Sequence, residues 1–296
     1  MASPFDLSDT YSYQKWRNMK LCQALNYQND LNELFVTIHN CQAPSTHEVD
    51  QVLNNCLRYS FSFYRLNNES NNQKAHITQF VTQLGLKKLD ANICADKDKL
   101  TSITQVTHKD QHNYIPYSNK RLSWHTDGYY NRLNKQINAM LLHCKHPAKS
   151  GGASLIMDHE IAYILLRDEN PEYIRAFMDI DAMTIPANIL NNKMIRKAQT
   201  GPVFSVLSNG QLHMRFTART RNIEWKQSSP TLEAVDFLTN LLNSNSPHII
   251  KYTLQAGEGL ICRNILHRRT SFVDYEESYK KRLLYRGRYF DTLNQP

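Results

Sequence analysis

Apolar and polar positions follow two regimes along this chain. In the first hundred residues the spacing is mostly helical. Ser45 and Glu48 stand at capping-box distance ahead of VDQVLNNCL, which predicts a helix from Thr46 to Tyr59, because the N-cap hydroxyl and the N3 carboxylate satisfy each other's free backbone N–H groups. The alternating run SFSFYRL then predicts a strand. QKAHITQFVTQL, stopped by Gly85, predicts a second helix. From about Thr101 the chain turns to short runs separated by turn residues: SITQVTH, RLSWHTD, INAMLLHCK, ASLIMD, PVFSV, LHMRFTA, HIIKYTL, GLICRNILH and RLLYRGRYF. Many short strands predict a sandwich or barrel. Two helical stretches interrupt them. One runs from Asp158 to Met178 with Pro171 opening a new turn; the other runs from Pro230 to Leu242, with Ser229 as N-cap and Pro230 at the first helical position. The expected fold class is therefore mainly β with flanking helices. Residues 1–100 form a helix and strand region packed on a β core of residues 101–296, together one structural unit. NNESNNQ near residue 70 is the expected flexible loop.

Composition adds limits. A chain of 296 residues can bury one large core, and 41% apolar with 21% charged residues is the balance of a soluble globular protein. No stretch approaches the roughly 18 to 20 apolar residues of a membrane span, and the polar start lacks a leader pattern, so the expected location is cytoplasmic. Six cysteines without any C-x-x-C pair suggest neither a zinc ribbon nor a disulfide framework. The net charge of +8 is spread along the chain apart from Lys280 to Arg282 and Arg268 with Arg269, which reads as a basic surface with some of the excess facing anionic ligands inside, and no nucleic acid is expected as partner. Oligomeric state stays open, a homo-oligomer included.

Two histidines and one carboxylate on one face are the common way to hold non-haem iron while leaving positions for substrate and oxygen. The trace H-x-D is weak alone, and this chain, with twelve histidines, has it twice. His108-Lys109-Asp110 sits in a polar run and reads as solvated. His125-Thr126-Asp127 follows Leu122-Ser123-Trp124 and precedes Gly128, so it ends an apolar strand beside a tight turn, and residues i and i+2 of a strand share a face. His267, at the tip of the run that begins at Gly259, is the expected third ligand. In KKRLLYRGRYF, Arg282, Leu284, Arg286 and Arg288 alternate with Leu283, Tyr285, Gly287 and Tyr289, so one face carries three arginines able to grip a carboxylate. A second stripe runs through His213, Arg215, Thr217, Arg219 and Arg221.

Together WHTDG, the turn Ser150-Gly151-Gly152-Ala153-Ser154, the strand ending in His267 and KRLLYRGR make a chain that resembles the taurine dioxygenase-like (TauD/TfdA) family of Fe(II)- and 2-oxoglutarate-dependent oxygenases, from about Asn113 to Phe290. The resemblance implies a double-stranded β-helix, a jelly-roll barrel with iron inside one end. It implies metal ligation by His125, Asp127 and His267, anchoring of the far 2-oxoglutarate carboxylate by Arg282 with Ser154, and Arg286 near the substrate or the C1 carboxylate, with Arg288 as the fallback for the second arginine. The cofactors implied are Fe(II), 2-oxoglutarate as co-substrate and O2, with succinate and CO2 released; a carboxylate ligand leaves no place for halide, so hydroxylation or a hydroxylation-triggered cleavage is expected. Arg215, Arg219, Tyr129 and Tyr130 are the candidate substrate contacts. They suit a small anionic or zwitterionic molecule such as a sulfonate or carboxylate. HMRFTARTR also resembles a segment of γ-butyrobetaine and trimethyllysine hydroxylases, whose quaternary ammonium would want an aromatic cage from Tyr114, Tyr117, Tyr129 and Tyr130. A nucleic-acid demethylase, from the R-x5-R spacing of Arg282 and Arg288, and a non-catalytic jelly-roll binding module are the remaining alternatives.

Overall fold

The computed structural model describes residues 3–67, 73–91, 96–105, 115–190 and 192–294. Part of the NNESNNQ loop, the His108-Lys109-Asp110 motif and Tyr114 lie outside the described residues. Among the described residues no helix is long and apolar enough to cross a membrane.

Two sheets dominate. In the larger, six strands lie in the order Phe35–Ile38, Phe61–Leu66, Glu258–Cys262, Ala139–His146, Leu283–Tyr289, Thr101–Ile103. The first pair is parallel and the rest are antiparallel. The smaller sheet has four strands in the order Ile250–Tyr252, Ser154–Met157, Leu266–Arg269, Leu122–His125, all antiparallel. Alternation along a strand sends Met140, Leu142, Cys144 and Leu284 into one buried cluster shared with Leu155, Ile156 and Leu266 of the smaller sheet, so the main core lies between the sheets. The opposite face of the large sheet, with Ala139, Leu141, Ile261 and Tyr289, packs against helices and forms a second core.

Among the described residues six α-helices flank the sheets: α1 Thr10–Asn29, α2 Thr46–Tyr59, α3 Gln73–Gln83, α4 His159–Glu169, α5 Pro171–Phe177 and α6 Ser229–Asn243. The Ser45 and Glu48 capping box forms on α2 as its spacing predicts. α2 and α3 bring Val52, Cys56, Ile77 and Phe80 onto the outer face of the large sheet. α6 starts one residue earlier than its pattern suggests: Ser228, not Ser229, is the N-cap, and its hydroxyl bonds the Thr231 hydroxyl at 2.8 Å in place of a backbone N–H. α1 has no clear apolar stripe and escaped the periodicity reading. It packs Tyr13, Trp16 and Ala24 against the main core and is also held by a buried ion cluster: Lys20 Nζ lies 2.9 Å from Asp158 and 2.7 Å from Glu160, and Glu160 also meets Arg263 at 3.2 Å. Four buried charges that sum to zero, each with a close partner, tie α1 and α4 to the segment that leads into the His267 strand.

The run GLICRNILH is two strands rather than one. Glu258–Cys262 belongs to the large sheet and Leu266–Arg269 to the small one. Asn264 sits between them at φ +50°, a left-handed conformation that asparagine tolerates better than most side chains. This crossing delivers His267 to the opposite sheet from Leu260. The stripe from His213 to Arg221 is corrected likewise, since its strand ends at Met214, and Arg219 and Arg221 emerge exposed.

Candidate active site

His125 ends its strand and pairs in register with His267 on the neighbouring antiparallel strand. Their ring centroids are 4.2 Å apart. Asp127 follows in the turn, and one ligand atom from each of His125, Asp127 and His267 lies within 4.8 Å of the others, all three residues buried. The rings are oriented by the backbone: His125 Nδ1 is 2.9 Å from the Ser123 carbonyl and His267 Nδ1 is 2.9 Å from the Ile265 carbonyl. A carbonyl only accepts, so each Nδ1 carries the hydrogen and each Nε2 keeps a free lone pair. Asp127 Oδ1 accepts from Arg286 Nη1 at 3.3 Å, whereas Oδ2 is buried with no hydrogen-bond partner. A carboxylate with one unpartnered oxygen, grouped with two Nε2 lone pairs, is a donor set that a divalent cation completes, and the residues therefore fit iron(II).

Electrostatics agree. Burial pushes His125 down to about 3, reinforced by the neighbouring His267, and burial also lowers His267; both imidazoles are therefore neutral, as ligation needs. Burial alone would raise Asp127, but Arg286 and Arg288 outweigh it and hold the carboxyl ionised, below its usual range.

The turn carrying Asp127 is clamped by Asn264. The Asp127 N–H donates to Asn264 Oδ1 at 2.7 Å, while Asn264 Nδ2 donates to the carbonyls of Asp127 at 2.9 Å and Ile137 at 2.7 Å. Thr126 adds a further tie: its N–H donates to the Phe216 carbonyl at 3.0 Å, and its hydroxyl accepts from the Phe216 N–H at 3.1 Å. Gly128 turns at φ +68°, and a Cβ there would run into the Ile137 side chain. Asn264 was not singled out from the sequence. Its only trace was a polar residue interrupting an apolar strand run.

Arg282, Arg286 and Arg288 all point between the sheets and are buried, the orientation their alternation predicts. Arg282 borders a small cavity of about 10 Å³ together with Gly152, Ser154, Thr253 and Leu284. Burial pushes its guanidinium down to about 10, and its backbone N–H, not its side chain, meets Asp274 at 2.7 Å. No acidic side chain forms an ion pair with it among the described residues. Gly151 and Gly152 take φ of +75° and +70°, and a Cβ on Gly152 would lie 3.4 Å from Arg282 Nε, so the small-residue turn leaves this guanidinium its room. Arg288 is committed elsewhere: it is ion-paired to Asp90 and donates to Tyr130 Oη at 2.7 Å.

The candidate substrate residues divide. Tyr129 stands edge-on to His125 with centroids 6.5 Å apart, and Tyr130 is edge-on to Tyr129 at 5.2 Å. Arg219 is exposed nearby and acts electrostatically on the Tyr129 phenol. Arg215 corrects the expectation of a substrate arginine. It is buried, and its guanidinium donates to four carbonyls, those of Tyr129 at 2.8 Å, Met183 at 3.2 Å, Gly201 at 3.1 Å and Gln199 at 2.7 Å. Its role is to hold the tyrosine turn against the 183–201 region.

Two neutral histidines and an ionised aspartate converging between facing sheets fit the metal site of a non-haem iron oxygenase. The sequence matches the model of the taurine catabolism dioxygenase TauD, TfdA family over residues 43–288, and the chain belongs to that family. It is similar to a uridine-5'-phosphate dioxygenase of Streptomyces sp, 26% identical over 211 residues covering 68% of this chain and 73% of that one. A second uridine-5'-phosphate dioxygenase, of Amycolatopsis sp, is 28% identical over 179 residues, 57% of this chain and 61% of the relative. Solved structures of similar fold include asparagine oxygenase in complex with Fe(II), 2S,3S-3-hydroxyasparagine and succinate, with TM-score 0.59 and 13% identity over 93% of this chain and 91% of that one. The non-heme iron oxygenase OrfP has TM-score 0.61 and 12% identity over 83% and 81%. The protein is an oxidoreductase, a dioxygenase dependent on Fe(II), 2-oxoglutarate and O2.

Proposed function

We propose that this dioxygenase hydroxylates a small anionic molecule, a phosphorylated nucleoside or close relative, with His125, Asp127 and His267 holding the metal. The observation that carries the metal assignment is the triad itself, buried, neutral at both imidazoles and short of one partner at Asp127 Oδ2. The substrate class is supported by the two uridine-5'-phosphate dioxygenases among the relatives and by the cationic surroundings of Tyr129 and Tyr130. The two facing sheets support reading the core as a jelly roll. Residues 1–100 and 101–296 are read as one unit because strands from both share the six-stranded sheet.

Iron(II) when bound supplies the redox chemistry that couples decarboxylation of 2-oxoglutarate, giving succinate and CO2, to oxidation of a substrate C–H bond. The chain's residues position the reactants. Arg282 is a buried cation with no ion pair among the described residues, so the far carboxylate of 2-oxoglutarate restores the pairing its desolvation lacks, with the Ser154 hydroxyl beside it as a neutral donor. Arg286 holds Asp127 Oδ1 and so fixes the carboxylate beside the His125 ring. The Nδ1 bonds to Ser123 and Ile265 keep both rings from rotating.

The test is an anaerobic titration of iron(II) with 2-oxoglutarate present, following the visible charge-transfer band of the chelate, and then succinate release with uridine 5'-phosphate, uridine and small sulfonates. Wild type should show the band, His267→Ala should lose it, and Arg282→Ala should need at least about tenfold more 2-oxoglutarate for the same signal. A band that survives His267→Ala would refute the ligand assignment; succinate release that no phosphate ester stimulates would refute the substrate class.

A further inference from the structure

Six arginines surround the site, and four already have defined work. Arg215 is spent on four carbonyls, Arg286 on Asp127 and Arg288 on Asp90 and Tyr130, while Arg282 sits beyond Gly152 at the buried end assigned to 2-oxoglutarate. The remaining two, Arg196 and Arg219, share one neighbourhood. Arg196 closes the hairpin formed by Asn188–Leu190 and Lys193–Arg196, and its guanidinium carbon lies 5.8 Å from the centroid of the Tyr130 ring. It donates to the carbonyls of Pro186 at 2.7 Å and Lys197 at 3.0 Å, which leaves three of its five N–H groups. Arg219 is exposed and follows Thr217, which bridges to His125, and Ala218, whose N–H donates to the Trp124 carbonyl at 2.8 Å. Neither has an acidic ion-pair partner among the described residues.

We propose that Arg196 and Arg219 form a phosphate subsite at the rim of the substrate site, above Tyr129 and Tyr130, that selects phosphomonoesters over their neutral alcohols. The inference rests on the reading of the substrate as a phosphorylated nucleoside, and deepens it by assigning the residues that read the phosphate. A phosphomonoester is close to a dianion at neutral pH, and two guanidinium forks match its charge and its oxygen geometry better than one. Tyr129 spans from His125 to this rim. A molecule whose phosphate is gripped there can extend its carbon skeleton past Tyr129 toward the metal ligands. The subsite also explains why an arginine sits half-buried without a carboxylate: an internal acid would compete with the substrate for the same donors.

The experiment uses the full chain with Mn(II) in the metal site and saturating 2-oxoglutarate, reading the paramagnetic broadening of the phosphorus resonance of uridine 5'-phosphate and of inorganic phosphate. Wild type is compared with Arg196→Ala/Arg219→Ala and with Arg196→Lys/Arg219→Lys. Loss of charge-assisted hydrogen bonds should weaken binding of at least one probe by about tenfold or more in the alanine pair, with partial recovery in the lysine pair. The chelate band with Fe(II) and 2-oxoglutarate should be unchanged in all three proteins, which shows that the variants are folded. If neither probe separates wild type from the alanine pair, the subsite is refuted. If inorganic phosphate separates them but the uridine 5'-phosphate resonance does not, the subsite stands and the nucleotide reading fails.

Discussion

Replacing Asn264 by glycine tests whether the crossing between the sheets sets the metal site. The left-handed φ of +50° is retained by glycine without strain, so Asn264→Gly removes only the side-chain bonds. Three disappear. The Ile137 carbonyl keeps a second donor, His213 Nε2 at 3.1 Å, but the Asp127 N–H, bonded to Asn264 Oδ1 at 2.7 Å, is left in a buried site. One unsatisfied buried donor costs about 1–3 kcal/mol, and lost packing brings the expected destabilisation to about 2–4 kcal/mol. Asn264→Ala should cost about 1 kcal/mol more, from the left-handed backbone. The larger effect is expected on the metal, because the Asp127 turn loses two of the bonds that aim its carboxylate, and loss of such supporting contacts weakens metal affinity by about 10- to 100-fold. The assay is anaerobic Co(II) titration followed by visible absorption, beside urea unfolding of the metal-free protein. Asn264→Asp retains the acceptor and should fall between wild type and the glycine variant. Metal affinity within about twofold of wild type in a folded Asn264→Gly protein would refute the reasoning.

Two other perturbations probe the scaffold. Arg215→Ala should destabilise by about 3–5 kcal/mol in urea unfolding, since four carbonyls lose a buried charged partner, and Arg215→Lys should rescue little because an ammonium cannot fork between them; a loss below about 1 kcal/mol would contradict the assigned role. For Glu48, burial alone would raise the carboxyl, but bonds from the His39 backbone, the His39 ring and Ser45 outweigh it and lower it from 4.5 to about 2. Its folded pKa is depressed, so its contribution is present above about pH 4.5 and is lost as pH falls toward 2. Glu48→Gln should therefore lose about 1–2 kcal/mol at pH 7 and converge with wild type near pH 2, measured by thermal unfolding across pH; a pH-independent difference would show that the carboxylate charge is not involved.

Local features were legible wherever a short stretch of chain carries its own signal. The capping box of α2, the glycine stop after α3, the strand ending at His125 and the alternation that points Arg282, Arg286 and Arg288 inward are all decided within a few residues. The meeting of His125, Asp127 and His267 was readable too, because H-x-D on a strand end and a histidine at the tip of another leave little choice of geometry. Asn264, the end of the strand at Met214 and the commitment of Arg215 to carbonyls were not readable. Each depends on what chain segments more than ten residues away present at the same point. A polar residue within an apolar run has the same appearance whether it caps, kinks or faces solvent. An arginine reads as a free cation until the carbonyls around it are known.

The sequence by itself thus determined many of the elements, their buried faces and the two histidines and aspartate that meet as a candidate metal site, since these follow from periodicity and side-chain chemistry. Only the tertiary structure decided which cations are spent and which are free, and how one apolar run is shared between two sheets. Those outcomes depend on hydrogen bonds and desolvation among segments that meet only after folding.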